Sequence, residues 1–172
     1  MLHLVRHGRP LVDLALPAHE WELDPAGFDD VWALRERLPK VATWYSSPEP
    51  KAMQTASLLT DGPVGVIDGL REHVRQSTVW HDDFAAVVRR AFAEPTTSVE
   101  PGWEPLDRCR ERVVTAVRPV LAAHTGEDVV LVGHGTAWTL LVAEIAGAPP
   151  DLEAWSRLQM PDVLTVTSPR LR

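Results

Sequence analysis

Two short apolar runs, far apart along the chain, both end in His-Gly. Residues 2–6 lead into His7 and a glycine, and residues 129–133 lead into His134 and a glycine. Each run is rich in Val and Leu, which predicts a strand buried on both faces of a parallel sheet. If the two strands are neighbours, both imidazoles emerge at the carboxyl edge, where open α/β sheets bind their ligands. The two motifs therefore predict a functional site around His7 and His134.

Composition and charge limit the class of protein. With 172 residues, 45% hydrophobic and 24% charged, the chain has the composition of one folded domain covering residues 1–172. The net charge of −7, with scattered basic residues, predicts no nucleic-acid partner. No stretch approaches the ~20 apolar residues of a membrane span, so no membrane association is expected.

Cysteine usage and the N-terminal sequence bear on the compartment. Cys109 is the only cysteine, which excludes an intramolecular disulfide and a thiolate metal cluster. The first residues show no signal pattern, because Arg6 and His7 interrupt the apolar run. Together these features predict a cytoplasmic protein.

Short apolar runs alternate with amphipathic stretches along the whole chain. This alternation predicts βα units and a mainly parallel sheet. Beyond the two His-Gly runs, the predicted strands are residues 43–46, 64–67 and 162–167, the last of them near an edge. The predicted helices follow Asp24-Pro25 and Ser47-Pro48 and cover about residues 82–93, 105–124 and 135–147. Pro119 lies inside the fourth of these and predicts a kink or a break there.

Three further side chains are predicted at the same edge of the sheet. Arg6 offers a fork of donors that matches phosphate oxygens, and an adjacent imidazole can attack phosphorus. Lys51 falls in the first turn of the helix after Ser47-Pro48, where the helix N-terminus favours an anion. Glu72 follows the third strand after a short turn. These side chains with the two histidines predict a phosphate-binding cleft.

Four motifs together resemble those of the histidine phosphatase superfamily, which includes the cofactor-dependent phosphoglycerate mutases. They are Arg-His-Gly after the first strand, Ser-Ser-Pro-x-x-(basic)-Ala-x-Gln-Thr-Ala, a Glu after the third strand, and a late Gly-His-Gly. They occur in that order between Leu2 and about Gly147. The resemblance implies a three-layer α/β/α sandwich with a mainly parallel central sheet.

The resemblance also implies roles for individual residues. His7 would be the nucleophile that becomes phosphorylated, Arg6 and His134 would hold the phosphoryl oxygens, and Glu72 would act as proton donor. No metal and no organic cofactor is implied. The expected partner is a small phosphorylated substrate.

Three positions depart from the family pattern. Lys51 stands where the family normally has Arg, which keeps the charge but loses the planar fork of donors. Arg9 follows the first motif, where a small or acidic residue is usual, and we expect it to take over part of the cationic role as a phosphate-binding residue. Asp13 replaces a frequent Asn and is expected outside the pocket or facing a cationic substrate group.

Hydrolysis of a phosphate monoester or a related phosphoryl group through a phosphohistidine on His7 is the leading interpretation. A mutase, which returns the phosphoryl group to another oxygen of the same molecule, ranks below it. Lys51 and Asp13 motivate a third candidate, a phosphate-binding module that has lost activity. A metal-dependent hydrolase that uses His7, His134 and Glu72 lacks the close ligand spacing typical of such sites.

Substrate identity and oligomeric state are left open by the sequence. The loops expected to select the substrate, residues 9–23 and 73–101, carry no recognisable motif. Three tryptophans in predicted loops, Trp21, Trp80 and Trp103, are candidates for the walls of the cleft.

Overall fold

Within residues 1–171, which the computed structural model describes, five strands form one sheet. They are β1 (Leu2–Arg6), β2 (Thr43–Ser46), β3 (Val64–Val66), β4 (Val129–Gly133) and β5 (Asp162–Val166). The order across the sheet is β3-β2-β4-β1-β5, with β5 antiparallel to β1 and all other neighbours parallel. The predicted mainly parallel sheet is confirmed, and the last strand lies at an edge.

Six α-helices occur in the same part of the chain. They are α1 (Phe28–Ala33), α2 (Pro50–Leu59), α3 (Phe84–Ala93), α4 (Leu106–Ala123), α5 (Gly135–Ala146) and α6 (Leu152–Arg157). Among the described residues, no helix is both long enough and apolar enough to cross a membrane.

Alternate residues of the central strands enter two separate apolar clusters. Leu4 and Leu131 pack with residues of α4 and α5, whereas Val5 and Val132 pack with residues of α1 and α2. Both faces of the sheet are therefore covered, which is why β1 and β4 read as continuous apolar runs rather than as alternating patterns. The arrangement confirms the three-layer α/β/α sandwich.

Trp138 of α5 joins the two central strands from one face. Its side chain is fully buried, and its indole Nε1 donates to the carbonyl of Val5, 2.8 Å away. The ring also covers Gly133, where an added Cβ would lie 2.6 Å from a ring carbon. A glycine before His134 is therefore required by packing, and it keeps α5 close to the sheet.

Two predicted helix boundaries differ from the structure. Helix α2 begins at Pro50 rather than at Ser47, because the Ser47 amide still donates to the carbonyl of Val132 (2.9 Å) and extends the β2–β4 pairing. Helix α4 is not broken at Pro119. Proline removes one backbone donor, and both Pro119 and Thr115, whose carbonyl loses its partner, are exposed to solvent.

Candidate active site

The register of the central strands brings the two histidines together. Arg6 is opposite Gly133 in the parallel β1–β4 pair, and the amide of His7 donates to the Gly133 carbonyl at 2.9 Å. His7 and His134 follow directly, with ring centroids 5.2 Å apart and planes 65° from parallel. Two motifs more than a hundred residues apart thus form one pair at the carboxyl edge, as the sequence predicted.

His7 presents one ring nitrogen to the cleft in a defined tautomer. Its Nδ1 lies 2.7 Å from the carbonyl of Gly8. Because a carbonyl only accepts, Nδ1 carries the proton and Nε2 carries the free electron pair. Burial, with the neighbouring His134 and Lys51, lowers the pKa of His7 well below 6.5. The imidazole is therefore neutral at physiological pH, which is the form that can act as a nucleophile.

Gly8 is required for packing rather than for access of a ligand. A Cβ at this position would lie 2.6 Å from Val31 and 2.8 Å from Leu23. The space beside the glycine is therefore filled by side chains. Its amide donates to Oγ1 of Thr55 in α2 at 3.0 Å, which ties the residue after the nucleophile to the neighbouring helix.

Arg6 is anchored from the C-terminal part of the chain. Its Nη1 donates to the carbonyl of Leu158 at 2.6 Å, and its Nε is buried without a hydrogen-bond partner among the described residues. Burial lowers the pKa of its guanidinium from the ordinary value, with Glu72 and Asp162 acting in the opposite direction. A partly dehydrated guanidinium beside His7 is well suited to bind a phosphoryl oxygen.

Lys51 lies in the cleft as an ion pair with Glu49, a residue to which the sequence assigned no role. Its Nζ is 2.6 Å from Glu49 Oε2 and donates to the carbonyl of Ala18 at 2.6 Å. The other carboxylate oxygen accepts from the amide of Glu72 at 2.8 Å and lies 3.4 Å from His134 Nε2. The positive charge of Lys51 is thus already compensated inside the protein.

His134 is held by polar groups of the segment between β2 and α2. Its Nε2 is 2.8 Å from Oγ of Ser47, and its Nδ1 is buried without a partner in the described part of the chain. Burial lowers the pKa of His134 from 6.5 to about 4, against the opposite effects of Glu49 and Glu72. The ring is therefore neutral at pH 7.

Glu72 is bound at the N-terminus of α5. Its carboxylate accepts from the amides of His73 (2.9 Å), Ala137 (3.0 Å) and Thr136 (3.2 Å). This arrangement places Glu72 at the same edge as the histidines, although its oxygens are directed towards the helix start. A carboxylate at that position is favoured by the helix dipole.

The pKa of Glu72 follows from these contacts. Burial raises the pKa, but the charges of His134 and Arg75 and the amides of His73 and Thr136 lower it by more, to about 2. Glu72 is therefore ionised in the free protein at neutral pH, and it is a base rather than an acid until a ligand changes its surroundings.

Arg75 is a cleft cation that the sequence analysis missed. Its guanidinium carbon lies 4.7 Å from the ring centre of Phe84 and 4.9 Å from that of Trp103. No carboxylate of the described residues is within 4.0 Å of it, although Glu72 and Glu49 are close enough to affect its pKa, which burial lowers. Arg75 lies in a loop that carries no recognisable motif. The one sequence-based indication of its role is that this loop, residues 73–101, was expected to select the substrate.

Arg9 does not line the cleft. Its Nε donates to Asp24 Oδ2 at 2.9 Å, and its side chain is 55% exposed. Asp24 also accepts from the amide of Ala26 and caps the short helical turn at Pro25–Gly27. The expectation that Arg9 is a phosphate-binding residue therefore has no support in this geometry, because a local ion pair holds Arg9 on the outside. Asp13 is exposed and also lies outside the cleft.

The cleft around these residues has a volume of about 680 Å³. Arg6, His7, Lys51, Glu72 and His134 all line it, and so do Trp21, Trp80 and Trp103, which the sequence singled out as candidates for its walls. Among residues 1–171, no group of three His, Cys, Asp or Glu side chains is arranged to hold a metal ion, so the metal-dependent alternative gains no support.

Comparison with known proteins gives a consistent picture. Residues 2–170 match the family described as histidine phosphatase superfamily (branch 1). Phosphoglycerate mutase-like protein 4 of Arabidopsis thaliana is 31% identical over 151 residues, which are 77% of this chain. The matched region spans 65% of the plant protein, so this chain corresponds to only part of that relative.

Solved structures share the fold. A phosphoserine phosphatase mutant from Entamoeba histolytica, in complex with phosphoserine, superposes with a TM-score of 0.76 at 17% identity, covering 94% of this chain and 87% of the other. YhfR of Bacillus stearothermophilus superposes with a TM-score of 0.74 at 24% identity, covering 99% and 93%. At these identities the likeness concerns the fold alone.

Proposed function

The chain belongs to the histidine phosphatase superfamily, and on this basis we propose that it hydrolyses a phosphate monoester through a phosphohistidine on His7. One observation carries the proposal. A buried, neutral imidazole has its Nδ1 proton bound to Gly8 and its Nε2 free, and it lies beside His134 at the carboxyl edge of the sheet. This is the arrangement that an attacking nitrogen needs.

In the first step, Nε2 of His7 attacks phosphorus and forms the P–N bond while the ester P–O bond breaks. In this scheme Arg6 and His134 bind the equatorial oxygens, where charge develops in the transition state. The leaving oxygen takes a proton and departs as an alcohol. No metal or organic cofactor enters this scheme.

The proton for the leaving group is assigned to Glu72, as the family resemblance implies. Since its pKa is about 2 in the free protein, Glu72 has no proton of its own at pH 7. A substrate that binds as the monoanion brings one, and the phosphoryl charges beside Glu72 raise the carboxyl pKa once it is bound. In the second step the carboxylate accepts a proton from the water that attacks the phosphohistidine.

Positive charge for the phosphoryl group comes from Arg6 and Arg75 in this scheme, with Lys51 in a lesser role. Lys51 is neutralised by Glu49, whereas Arg75 has no carboxylate within 4.0 Å among the described residues. The aromatic faces of Phe84 and Trp103 hold the guanidinium in place without cancelling its charge. This difference makes Arg75 the better candidate for the second cation.

A mutase is the second candidate, and the name of the plant relative favours it. A mutase must keep water from the phosphohistidine, however, and the residues around the mouth of this cleft are exposed. That openness supports hydrolysis. A binding module without activity is the third candidate, and the retained nucleophile in its reactive tautomer argues against it.

The partner in this proposal is a small phosphorylated molecule. Two solved structures of the phosphoserine phosphatase from Entamoeba histolytica are in complex with phosphoserine and with 3-phosphoglyceric acid, which are compounds of this class.

A cytoplasmic location is also proposed. The one cysteine, Cys109, is fully buried in the α4 core, and burial raises the pKa of its thiol, so it is an unreactive core residue.

The test is hydrolysis of p-nitrophenyl phosphate with and without a strong chelator. We expect activity that the chelator leaves unchanged, that His7→Ala abolishes and that His124→Ala retains, since His124 lies away from the cleft. Quenching with an alkaline denaturant during turnover should trap an acid-labile, base-stable phosphoprotein in the wild type and in His124→Ala but not in His7→Ala. Undiminished activity of His7→Ala would remove the proposal.

A further inference from the structure

Exposed apolar side chains are concentrated at the mouth of the active-site cleft. Of the twelve large hydrophobic side chains that are exposed among the described residues, seven line this one cleft: Val12, Leu14, Leu16, Val79, Trp80, Phe84 and Met160. Scattered exposed hydrophobic residues are normal on a protein surface, but a contiguous group around a cleft marks a binding surface. We call these seven residues the apolar rim.

The apolar rim comes mainly from two segments of the chain. Residues 12–16 follow the nucleophile, and residues 79–84 run from the loop after Glu72 to the first residue of α3. Val79, Trp80 and Leu14 are 67%, 58% and 59% exposed. Their side chains are therefore available to a ligand bound in the cleft.

The floor of the cleft has the opposite character. Arg6, His7, Glu72 and His134 lie there, and a phosphoryl group bound among them would occupy only a small part of about 680 Å³. The remaining volume adjoins the apolar rim. Ligand sites of this kind combine a few polar groups that fix orientation with apolar walls that bind the rest of the molecule.

The charged groups of the walls are already engaged. Arg71 pairs with Asp68 at 2.8 Å and Lys51 pairs with Glu49 at 2.6 Å, and the charge of Arg75 is assigned to the phosphoryl group in the proposed function. The walls therefore offer few free charges for a carboxylate or an ammonium on the far side of the substrate.

From these observations we propose that the substrate is the phosphate ester of an apolar alcohol or phenol, whose hydrocarbon part lies against the apolar rim. The inference rests on the proposed phosphatase function, because the rim is continuous with the floor that holds His7. Because the rim and the floor form one cleft, the molecule that contacts the rim is the substrate itself. A group joined to a phosphate bound at His7 must leave the floor through the space that residues 12–16 and 79–84 enclose.

A homologous series of n-alkyl phosphates, from ethyl to octyl, tests this inference. The acidity of the alcohol hardly changes along the series, so the chemical step is constant and only the apolar area grows. We expect kcat/KM to rise about two- to fourfold per added methylene until the cleft is filled. Glycerol phosphate should be a poorer substrate than butyl phosphate. A flat series would overturn the proposal.

Substitutions in the apolar rim test whether the dependence of kcat/KM on chain length arises there. Trp80→Ala and Leu14→Ser should flatten the dependence on chain length while leaving kcat/KM for ethyl phosphate nearly unchanged, since neither residue belongs to the catalytic floor. Trp32→Ala and Val41→Ser are matched controls, because both residues are exposed (50% and 87%) and lie away from the cleft. Equal slopes in rim and control variants would contradict the assignment.

Binding of non-hydrolysable alkyl phosphonates separates this inference from the proposed function. We expect octylphosphonate to bind the wild type more tightly than ethylphosphonate by calorimetry, and Trp80→Ala to reduce that difference. If this holds in a protein that shows no turnover, the apolar site stands and the phosphatase proposal falls. If the protein instead turns over the esters without any dependence on chain length, the phosphatase proposal stands and the apolar site falls. If rim variants instead dissociate a dimer in sedimentation and bind both phosphonates alike, the rim is a self-association surface and the inference is wrong.

Discussion

The ammonium nitrogen of Lys51 lies 2.6 Å from Oε2 of Glu49, and the two side chains are only 6% and 3% exposed. The pair occupies the position where the family motif leads one to expect a single arginine facing phosphate. Its two charges compensate each other within the protein. The lysine at position 51 is thus coupled to the carboxylate two residues earlier, and the two side chains have to be considered together.

Removing one member of this pair should cost more stability than removing both. An uncompensated buried charge typically destabilises a protein by about 3–5 kcal/mol, whereas apolar replacement of both partners is often neutral. We therefore expect Lys51→Met and Glu49→Leu each to lower the free energy of unfolding substantially, and the double variant to recover most of the loss. Urea denaturation at pH 7 measures all four corners of the cycle. Additive losses would indicate that the two side chains act independently.

Arg75 should contribute more to turnover than Arg9. Loss of one donor that stabilises charge in a transition state typically costs roughly a hundred- to a thousandfold in kcat, and we expect Arg75→Ala to fall in this range. Arg9→Ala is the matched control, because Arg9 is paired with Asp24 outside the cleft. The kcat and KM of both variants on p-nitrophenyl phosphate decide between them. A larger loss for Arg9→Ala would reverse the assignment.

Stability should fall as the pH drops below about 6.5. His134 has a folded-state pKa of about 4, so between pH 6.5 and 4 the unfolded chain binds the proton that the folded protein rejects. His134 thus contributes stability that is complete above pH 6.5 and lost towards pH 4, by about 3 kcal/mol. His7 acts in the same direction, since its pKa is also lowered.

Glu72 titrates in a separate window. Its pKa is lowered from 4.5 to about 2, so its contribution is retained above pH 4.5 and lost only as the pH falls further. Urea midpoints at pH 7, 6 and 5 therefore isolate the histidines. A His134→Asn variant should show a shallower decline over that range, and an unchanged slope would contradict the lowered pKa.

Replacement of Glu72 by Gln should affect substrates according to their leaving groups. General acid–base catalysis typically contributes about a hundred- to ten-thousandfold to the rate. An alkyl phosphate depends on this contribution fully, because its alcohol must be protonated as it leaves. The p-nitrophenyl group needs little protonation, so its turnover should decline far less. The ratio of kcat/KM for the two esters in wild type and variant is the measurement. An equal loss for both esters would instead point to a role of Glu72 in holding the start of α5.

Two arginines illustrate how far the sequence predicts this site. Arg6 is adjacent to His7 at the end of β1, and the apolar run of that strand can be recognised from consecutive residues alone. Its position at the sheet edge therefore followed from the motif. Arg75 has no such signal, because it enters the cleft only through packing against Phe84 and Trp103, later in the chain. The expected role of Arg9 gains no support from the geometry for a related reason. Its ion pair with Asp24 depends on how a loop folds back, which no local pattern encodes.

The fold was more predictable than the site. The runs that became β1 and β4 are apolar on both faces, and this property alone places them in the middle of a covered sheet. Glu49, in contrast, is one letter in a helix-start motif. Its burial against Lys51 and His134 is a consequence of three-dimensional packing, and the roles of the individual cleft residues remain predictions until the variants are measured.

The hydrogen bond from the amide of His7 to the carbonyl of Gly133 belongs to the ladder that joins the central strands. Amides in such a ladder exchange with solvent water mainly when the whole fold opens, whereas surface loops open locally at low cost. We therefore expect residues 12–16 and 79–83 to rearrange around different ligands while the two imidazoles keep their spacing. The rim segments would adapt to different substrates, and the β1–β4 ladder would keep the reacting atoms in place, because the two parts of the molecule open on different timescales.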